Sequence, residues 1–430
     1  PRPVTLPLDF HHFSVSAQDL SGLVGVFIKV AVDRQTAASC GEKAAKYFDS
    51  LPDRSLIAGY PEELLTEAAE ALKASQRPVI VSGTDIAPVQ VTELSADLAL
   101  FLQAADKNAG LFYLLPGANA FGAGLLSDDE ASMLSIIEAI ENGNVKALVV
   151  VESDPFFQFP DRKRLVQALD TLDLLIVLDY LHSDIVRKAH IFIPTTTLYE
   201  ADGIFVNQEG RAQMTRQAYS GGIPVAQSGG GHHPPRIYGT GIPGADPKPA
   251  WLSITQLADE QFEPKHKAVP TILYKRLADI IPLLADVDLA ADIPVEGIRF
   301  NSGEKTDRRF TTDFSRQPVE QTGSTGNLTL IFTDLTFGTE ELSSQSECLL
   351  ELEHEPAVFM HTNEAQSLDL MDGDPVCIQT ENGNFRAILR AAENMATGVL
   401  VVPRHRKLAW QIFKTDRIHI SREQIKKAVD

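Results

Sequence analysis

From Pro61 to Ile193 the chain alternates five times between a helix-like stretch and a short, continuously apolar run. No other feature of the sequence constrains the fold as strongly. Pro61-Glu62-Glu63 sets proline and acids in a first helical turn, and Leu65, Ala68 and Leu72 recur at helical spacing. The run Pro78–Val81 follows as a strand. Helical stretches over about 91–106, 129–142 and 161–170 precede apolar runs at Leu111–Leu115, Ala147–Val151 and Leu174–Leu178, and a short fifth helix precedes Ile191–Ile193. Helices between such strands predict a parallel sheet covered on both faces. The expectation is a doubly wound, mostly parallel α/β domain over 56–218, preceded by a remnant of another α/β domain over 1–55.

The rest of the chain has a different texture. Residues 219–250 hold 8 Gly and 6 Pro in 32 positions, a composition that buries no core and reads as an arm. Residues 251–322 are a mixed segment, with a helix expected near 270–284 and a polar stretch from Asn301. From 323 to 430 the period shortens. Leu328–Thr333, Val376–Gln379, Phe385–Leu389 and Gly398–Val402 read as strands, Asn382-Gly383 as a hairpin turn, and Asn363 with Gln366 as the cap of a short helix. This final part is expected to be a β-rich domain or barrel.

Composition excludes several classes. At 430 residues the chain is too long for one core. Its net charge of −20 opposes nucleic acid as a partner. No apolar run approaches the roughly 20 residues of a membrane span. Cys40, Cys348 and Cys377 form no CxxC pair, so no iron–sulfur cluster or local thiolate zinc site is expected. No GxGxxG or GxxxxGK[ST] is present. Pro1-Arg2-Pro3 lacks an initiator Met and a signal segment, and the chain reads as a fragment cut on its amino-terminal side.

In an open α/β sheet, ligands sit at the carboxyl ends of the strands. Here those ends carry Ser82–Asp85, Pro116–Gly122, Glu152-Ser153-Asp154-Pro155 and Asp179–His182. Each is also what a plain turn is made of. The stretch Tyr199-Glu200-Ala201-Asp202-Gly203-Ile204-Phe205-Val206-Asn207-Gln208-Glu209-Gly210-Arg211-Ala212-Gln213 is more telling. It resembles the EADGTFxNxEGRxQ segment of the molybdopterin oxidoreductase superfamily. Gly117-Ala118-Asn119 with Gly122 is similar to that family's Asn/Gly loop, and Met360–Arg404 to its carboxy-terminal double-psi barrel. Gly231–Pro235 and Phe337–Ser343 look like the branch formed by the large iron–sulfur subunit of NADH-quinone oxidoreductase, respiratory complex I.

The resemblance implies a structural portion of such a subunit, supporting electron transfer from NADH toward quinone. The partners would be other subunits of a respiratory complex at the cytoplasmic face of the cell membrane, with no nucleic acid and no direct span. It places 4Fe–4S and 2Fe–2S clusters in a preceding part. The alternatives are a fragment of a catalytic molybdopterin enzyme, such as a formate dehydrogenase large subunit, and a free-standing ligand-binding module.

No molybdopterin is expected in this chain. Val15–Asp19 stands where the family often has Pro-Gly-Thr-Asp, and Asp334, Glu340 and Glu341 stand where its barrel offers a cation and hydroxyls to a pyrophosphate. Vestigial pterin-site candidates are Asn119, Gly122, Asn207, Glu209, Gly210 and Arg211. No catalytic and no metal-binding residue is assigned. His232-His233 reads as an arm contact, His11-His12 as packing beside Phe10 and Phe13, and Arg211 equally as half of a structural ion pair. Ser343, Ser344 and Ser346 lack His–Asp partners at a recognisable spacing. The last thirty residues carry eight cations against three acids. They form either a docking surface or a tail folded back on the acidic body.

Overall fold

Ser16 starts the first helix. Its backbone is extended and its hydroxyl accepts the Asp19 N–H at 3.0 Å, capping α1 (Ala17–Ala31). The computed structural model describes residues 10–53, 62–127, 132–159, 161–218, 247–258, 277, 279–281, 293–300, 328–335, 338–380, 383–405, 407–408 and 418–422. Val26 and Ile28 of α1 are fully buried, while Lys29 reaches out to the Leu51 carbonyl at 2.7 Å and to Asp53 at 2.8 Å. The chain continues through α2 (Arg34–Ser39), α3 (Glu42–Ser50), α4 (Glu62–Ala74), β1 (Val79–Gly83), α5 (Val89–Ala104) and β2 (Gly110–Leu114). Helices α1, α3 and α5 share a core of Ile28, Tyr47, Phe48, Leu98 and Phe101, in which the Phe48 and Phe101 rings meet edge to face at 5.9 Å.

The chain divides into two compact units, one of residues 1–116 with 305–430 and the other of 117–304. The second unit holds α6 (Ala120–Leu126), α7 (Met133–Glu141), β3 (Ala147–Val151), α8 (Pro155–Gln158), α9 (Arg162–Leu169), β4 (Leu174–Asp179), α10 (Asp184–Lys188) and β5 (Ile191–Pro194). There follow β6 (Gly203–Val206), β7 (Arg211–Thr215), α11 (Ala250–Ala258) and β8 (Ile298–Arg299). Ile137, Ile140, Leu165, Leu169, Leu175, Val177 and Ile185 form its main core.

Every helix–strand alternation expected from the sequence is present. The five strands are hydrogen-bonded as two parallel sets, β1–β2 and β3–β4–β5, each within its own unit. Coverage differs from expectation. Val79 and Val81 of β1, and Val149, Val151 and Ile191 of β3 and β5, are exposed, so the described helices do not shield both faces of these sheets.

The first unit resumes with β9 (Thr329–Thr333), α12 (Glu347–Leu350), β10 (Ala357–His361), α13 (Thr362–Ser367), β11 (Pro375–Thr380), β12 (Gly383–Ala392), β13 (Val399–Pro403) and β14 (Ile418–Arg422). These strands make one mixed six-stranded sheet in the order β14-β11-β12-β10-β13-β9. Val358, Met360, Val376, Ile378, Leu389, Leu400 and Val402 pack its interior. The cap of α13 is His361, whose Nδ1 accepts the Asn363 N–H at 3.1 Å, and not Asn363 itself. Strand β10 carries the chain straight into the helix, so the last strand residue is the one with extended backbone and a free acceptor.

His11 and His12 are also not packed. Both are exposed, and Phe13 alone joins Val15, Leu23, Val26 and Leu65. Three cations of the last thirty residues pair within the chain: Arg404 with Asp334 at 3.1 Å, Lys407 with Glu355 at 2.9 Å and Arg422 with Asp374 at 2.7 Å. The other tail cations, His232-His233, most of the Gly/Pro-rich arm and most of the stretch 270–284 lie outside the described residues; within that stretch Leu277, Asp279 and Ile280 are helical, as expected.

Candidate functional site

The Tyr199–Gln213 stretch folds as a cap and a hairpin. Glu200 accepts both the N–H and the hydroxyl of Thr197, at 3.0 and 2.9 Å. Strands β6 and β7 pair antiparallel, and the turn between them is organised by Asn207. Its Oδ1 accepts the N–H groups of Glu209 and Arg211 at 3.0 and 3.1 Å, and its carbonyl accepts that of Gly210 at 2.9 Å. Gly210 has φ +68°, the left-handed region that favours glycine. Arg211 donates to the Glu296 carbonyl at 3.0 Å and lies 3.5 Å from Glu209.

Asn119 and Gly122 come to the same place from the other end of the unit. Asn119 Oδ1 accepts the Val206 N–H at 2.8 Å, and a Cβ on Gly122 would collide with that oxygen. The structure therefore brings all six candidate residues together. In it, the Asn119, Asn207 and Arg211 side chains are engaged with the protein's own backbone.

The strand ends of β3 and β4 form a second, acidic cluster. Asp154 begins α8 as its cap, with Pro155 at the first helical position; Oδ1 accepts the Phe156 N–H at 2.9 Å and Oδ2 the Asp184 N–H at 3.1 Å. Asp179, 1% exposed, accepts the N–H groups of Tyr180 and Leu181 at 2.7 and 3.0 Å through Oδ1, and the Ser183 hydroxyl at 2.9 Å through Oδ2. Burial pushes the Asp154 carboxyl above its ordinary range, against the pull of its two backbone donors. Glu152 carries φ +46° on a residue with a side chain. Burial first, and then the nearby Asp179 carboxylate, push the Glu152 carboxyl above its ordinary range. Arg162 meets Asp184 at 2.7 Å.

An anionic ligand at such an edge needs free N–H donors and cations. The amides of Phe156, Tyr180, Leu181 and Asp184 are instead held by carboxylates of the chain itself. The sequence marked Glu152–Pro155 and Asp179–His182 as strand ends. The parts of Ser183 and Asp184 in closing the edge were missed, although a serine just ahead of an amphipathic run is a legible helix start.

The acidic departures in the first unit are likewise occupied. Asp334 pairs with Arg404, and Glu340 accepts the Leu342 N–H at 2.9 Å and also that of Ser343. Ser16 and Asp19, in the stretch that departs from Pro-Gly-Thr-Asp, bond to one another. Among the described residues no group of three or more His, Cys, Asp or Glu could hold a metal ion, and no helix is long and apolar enough to cross a membrane.

Comparison with known proteins gives these features a family. Residues 63–222 match the molybdopterin oxidoreductase family and residues 338–417 the molydopterin dinucleotide binding domain. Over these two stretches the chain is similar to the two domains that the matching families describe. Among its relatives is the G subunit of NADH-quinone oxidoreductase from Pseudomonas putida, 33% identical over 39% of this chain and 19% of that protein. The G 2 subunit of the same enzyme from Rhizobium meliloti is 25% identical over 66% of this chain and 30% of its own length. The alpha subunit of NADPH-Fe(3+) oxidoreductase from Geobacter sulfurreducens is 24% identical over the same shares, 66% and 30%. The matches therefore span less than a third of these relatives. Among solved structures, acetylene hydratase from Pelobacter acetylenicus shares the fold, with a TM-score of 0.50 and 13% identity over 91% of this chain and 63% of that one.

Proposed function

We propose that this chain is a cofactor-free, structural portion of the large subunit of an NADH-quinone oxidoreductase. It shapes the part of the complex through which electrons pass from NADH toward quinone and carries no catalytic residue itself. The observation that supports this reading best is the closed strand edge. Asp154 and Asp179 take up the amides that a dinucleotide's phosphates would need, and Glu152 adds a third carboxyl beside them. At about 4 Å a like-charge contact costs on the order of 1–4 kcal/mol, so these residues do not fit a pyrophosphate.

In this reading Asn119, Gly122, Asn207, Glu209, Gly210 and Arg211 are a vestigial cofactor loop turned to holding the hairpin. Residues 56–218 correspond to a doubly wound α/β domain whose two strand sets fall in different compact units, and 323–430 to a double-psi barrel, with 1–55, 219–250 and 251–322 as the flanking and connecting segments. The partners are the other subunits of a respiratory complex, peripheral to the cytoplasmic face of the membrane. The iron–sulfur clusters belong to a preceding part of the subunit.

The test is metal and pterin analysis of the purified full-length subunit. Iron with neither molybdenum nor tungsten, and no fluorescent pterin after acid oxidation, is the expected result. Stoichiometric molybdenum with pterin would overturn the reading in favour of a catalytic molybdopterin enzyme.

A further inference from the structure

Lys248 lies between Pro247 and Pro249, and a residue before proline is held to an extended backbone. It extends the β3–β4–β5 sheet by one residue, pairing parallel with Thr195, and its carbonyl accepts the Thr196 N–H at 3.2 Å. The Pro249 carbonyl then accepts the N–H groups of Leu252 and Ser253 and opens α11. Between the end of β5 and this helix is a cleft of about 310 Å³ lined by Ile193, Pro194, Lys248, Ser253, Gln256 and Leu257.

Its lining is of two kinds. Ile193, Pro194 and Leu257 are apolar, and Leu257 is 56% exposed. Lys248, Ser253 and Gln256 are polar, and Ser253 is 8% exposed. The Lys248 ammonium contacts Gln256 Oε1 at 3.3 Å and forms no ion pair with a carboxylate among the described residues. Beside the cleft the Thr196 hydroxyl is buried without a hydrogen-bond partner. In a chain of net charge −20, a cation facing a cleft with no carboxylate among its described lining residues stands apart from its surroundings.

We propose that this cleft binds a small organic anion, a carboxylate on an apolar stem. Its head meets the Lys248 ammonium and the Ser253 hydroxyl, and its stem lies on Ile193, Pro194 and Leu257. The size of the cleft, at the low end for ligand pockets, suits a short stem and excludes a dinucleotide. A charge-assisted contact fixes the head, and the apolar wall adds affinity without direction. The site does not depend on the proposed function, because none of the carboxylates that close the ends of β3 and β4 is among the residues lining it.

The test uses the full chain with hexanoate and its uncharged counterpart hexan-1-ol, followed by saturation-transfer NMR and calorimetry at millimolar ligand. Hexanoate is expected to bind, and hexan-1-ol to bind about tenfold more weakly or not at all. Lys248→Gln should abolish that preference and Lys248→Arg should keep it. Lys248 is exposed, so the melting temperature should not move in either variant. Ser253→Ala should weaken hexanoate alone. No binding of hexanoate, equal binding of both probes, or a preference that survives Lys248→Gln would each overturn the assignment.

Discussion

Asn119 accepts the backbone N–H of Val206 at 2.8 Å, a hydrogen bond between residues 87 apart in sequence. It ties the loop ahead of α6 to the end of β6, and Gly122 leaves room for it because any side chain there would strike the Asn119 oxygen. Val206 is 6% exposed, so its amide has little access to water.

Replacing Asn119 by Ala strands that buried donor, and an unsatisfied buried group costs about 1–3 kcal/mol. The midpoint of chemical denaturation should fall accordingly. Asn119→Asp keeps the acceptor and should lose less. Equal losses in the two variants would show that packing, not the hydrogen bond, is what Asn119 contributes.

Gly297 should tolerate no side chain. Its φ is +77°, and a Cβ would lie 2.6 Å from the Ala212 carbonyl oxygen, which is backbone and cannot swing away. Gly297→Ala should destabilise by about 2 kcal/mol or more through combined strain and overlap. The loss is read from the same denaturation curves.

Glu152 combines a left-handed backbone with a partly desolvated carboxyl. Glu152→Gly relieves the backbone and should stabilise by about 1 kcal/mol. Glu152→Gln keeps the backbone and removes only the charge. Because the folded-state pKa is raised, the native state holds the proton more tightly than the unfolded chain, and stability declines as pH rises through the folded value. The Gln variant should therefore melt above the wild type at pH 8 and match it below about pH 4. A difference independent of pH would show that the carboxyl's ionisation does not act on stability.

Asp374 has the opposite sign. The Met371 N–H, then Arg422, hold its carboxyl below the ordinary range. Its contribution is complete above the unfolded value and is lost as pH falls through the folded one. Asp374→Asn should lower the melting temperature at pH 7, and the gap should close below about pH 4. A gap that stays constant through that window would assign the effect to geometry alone.

Much of the local structure is legible in the order of the residues. Ala147–Val151 and Leu174–Leu178 are apolar at every position, and strands β3 and β4 cover these runs. Glu62 and Glu63 stand at the start of α4. The candidate site is legible only as a set of residues. Asn207, Gly210 and Arg211 lie in one turn, so their proximity follows from their spacing. Asn119 could be joined to them only by resemblance, since no local pattern links a loop asparagine to an amide 87 residues on.

The sequence by itself determined the alternation of helix and strand, the β-rich end, the hairpin stretch and the family likeness, because each depends on side chains close together along the chain. Tertiary structure alone decided which amides were left over and what took them up. Asp154 reaches the amide of Asp184, 30 residues on, because strands β3 and β4 lie side by side in parallel register. That register comes from burying Leu175, Val177 and Ile185 in one core, and a hydrogen bond of this kind exists only once the core has formed.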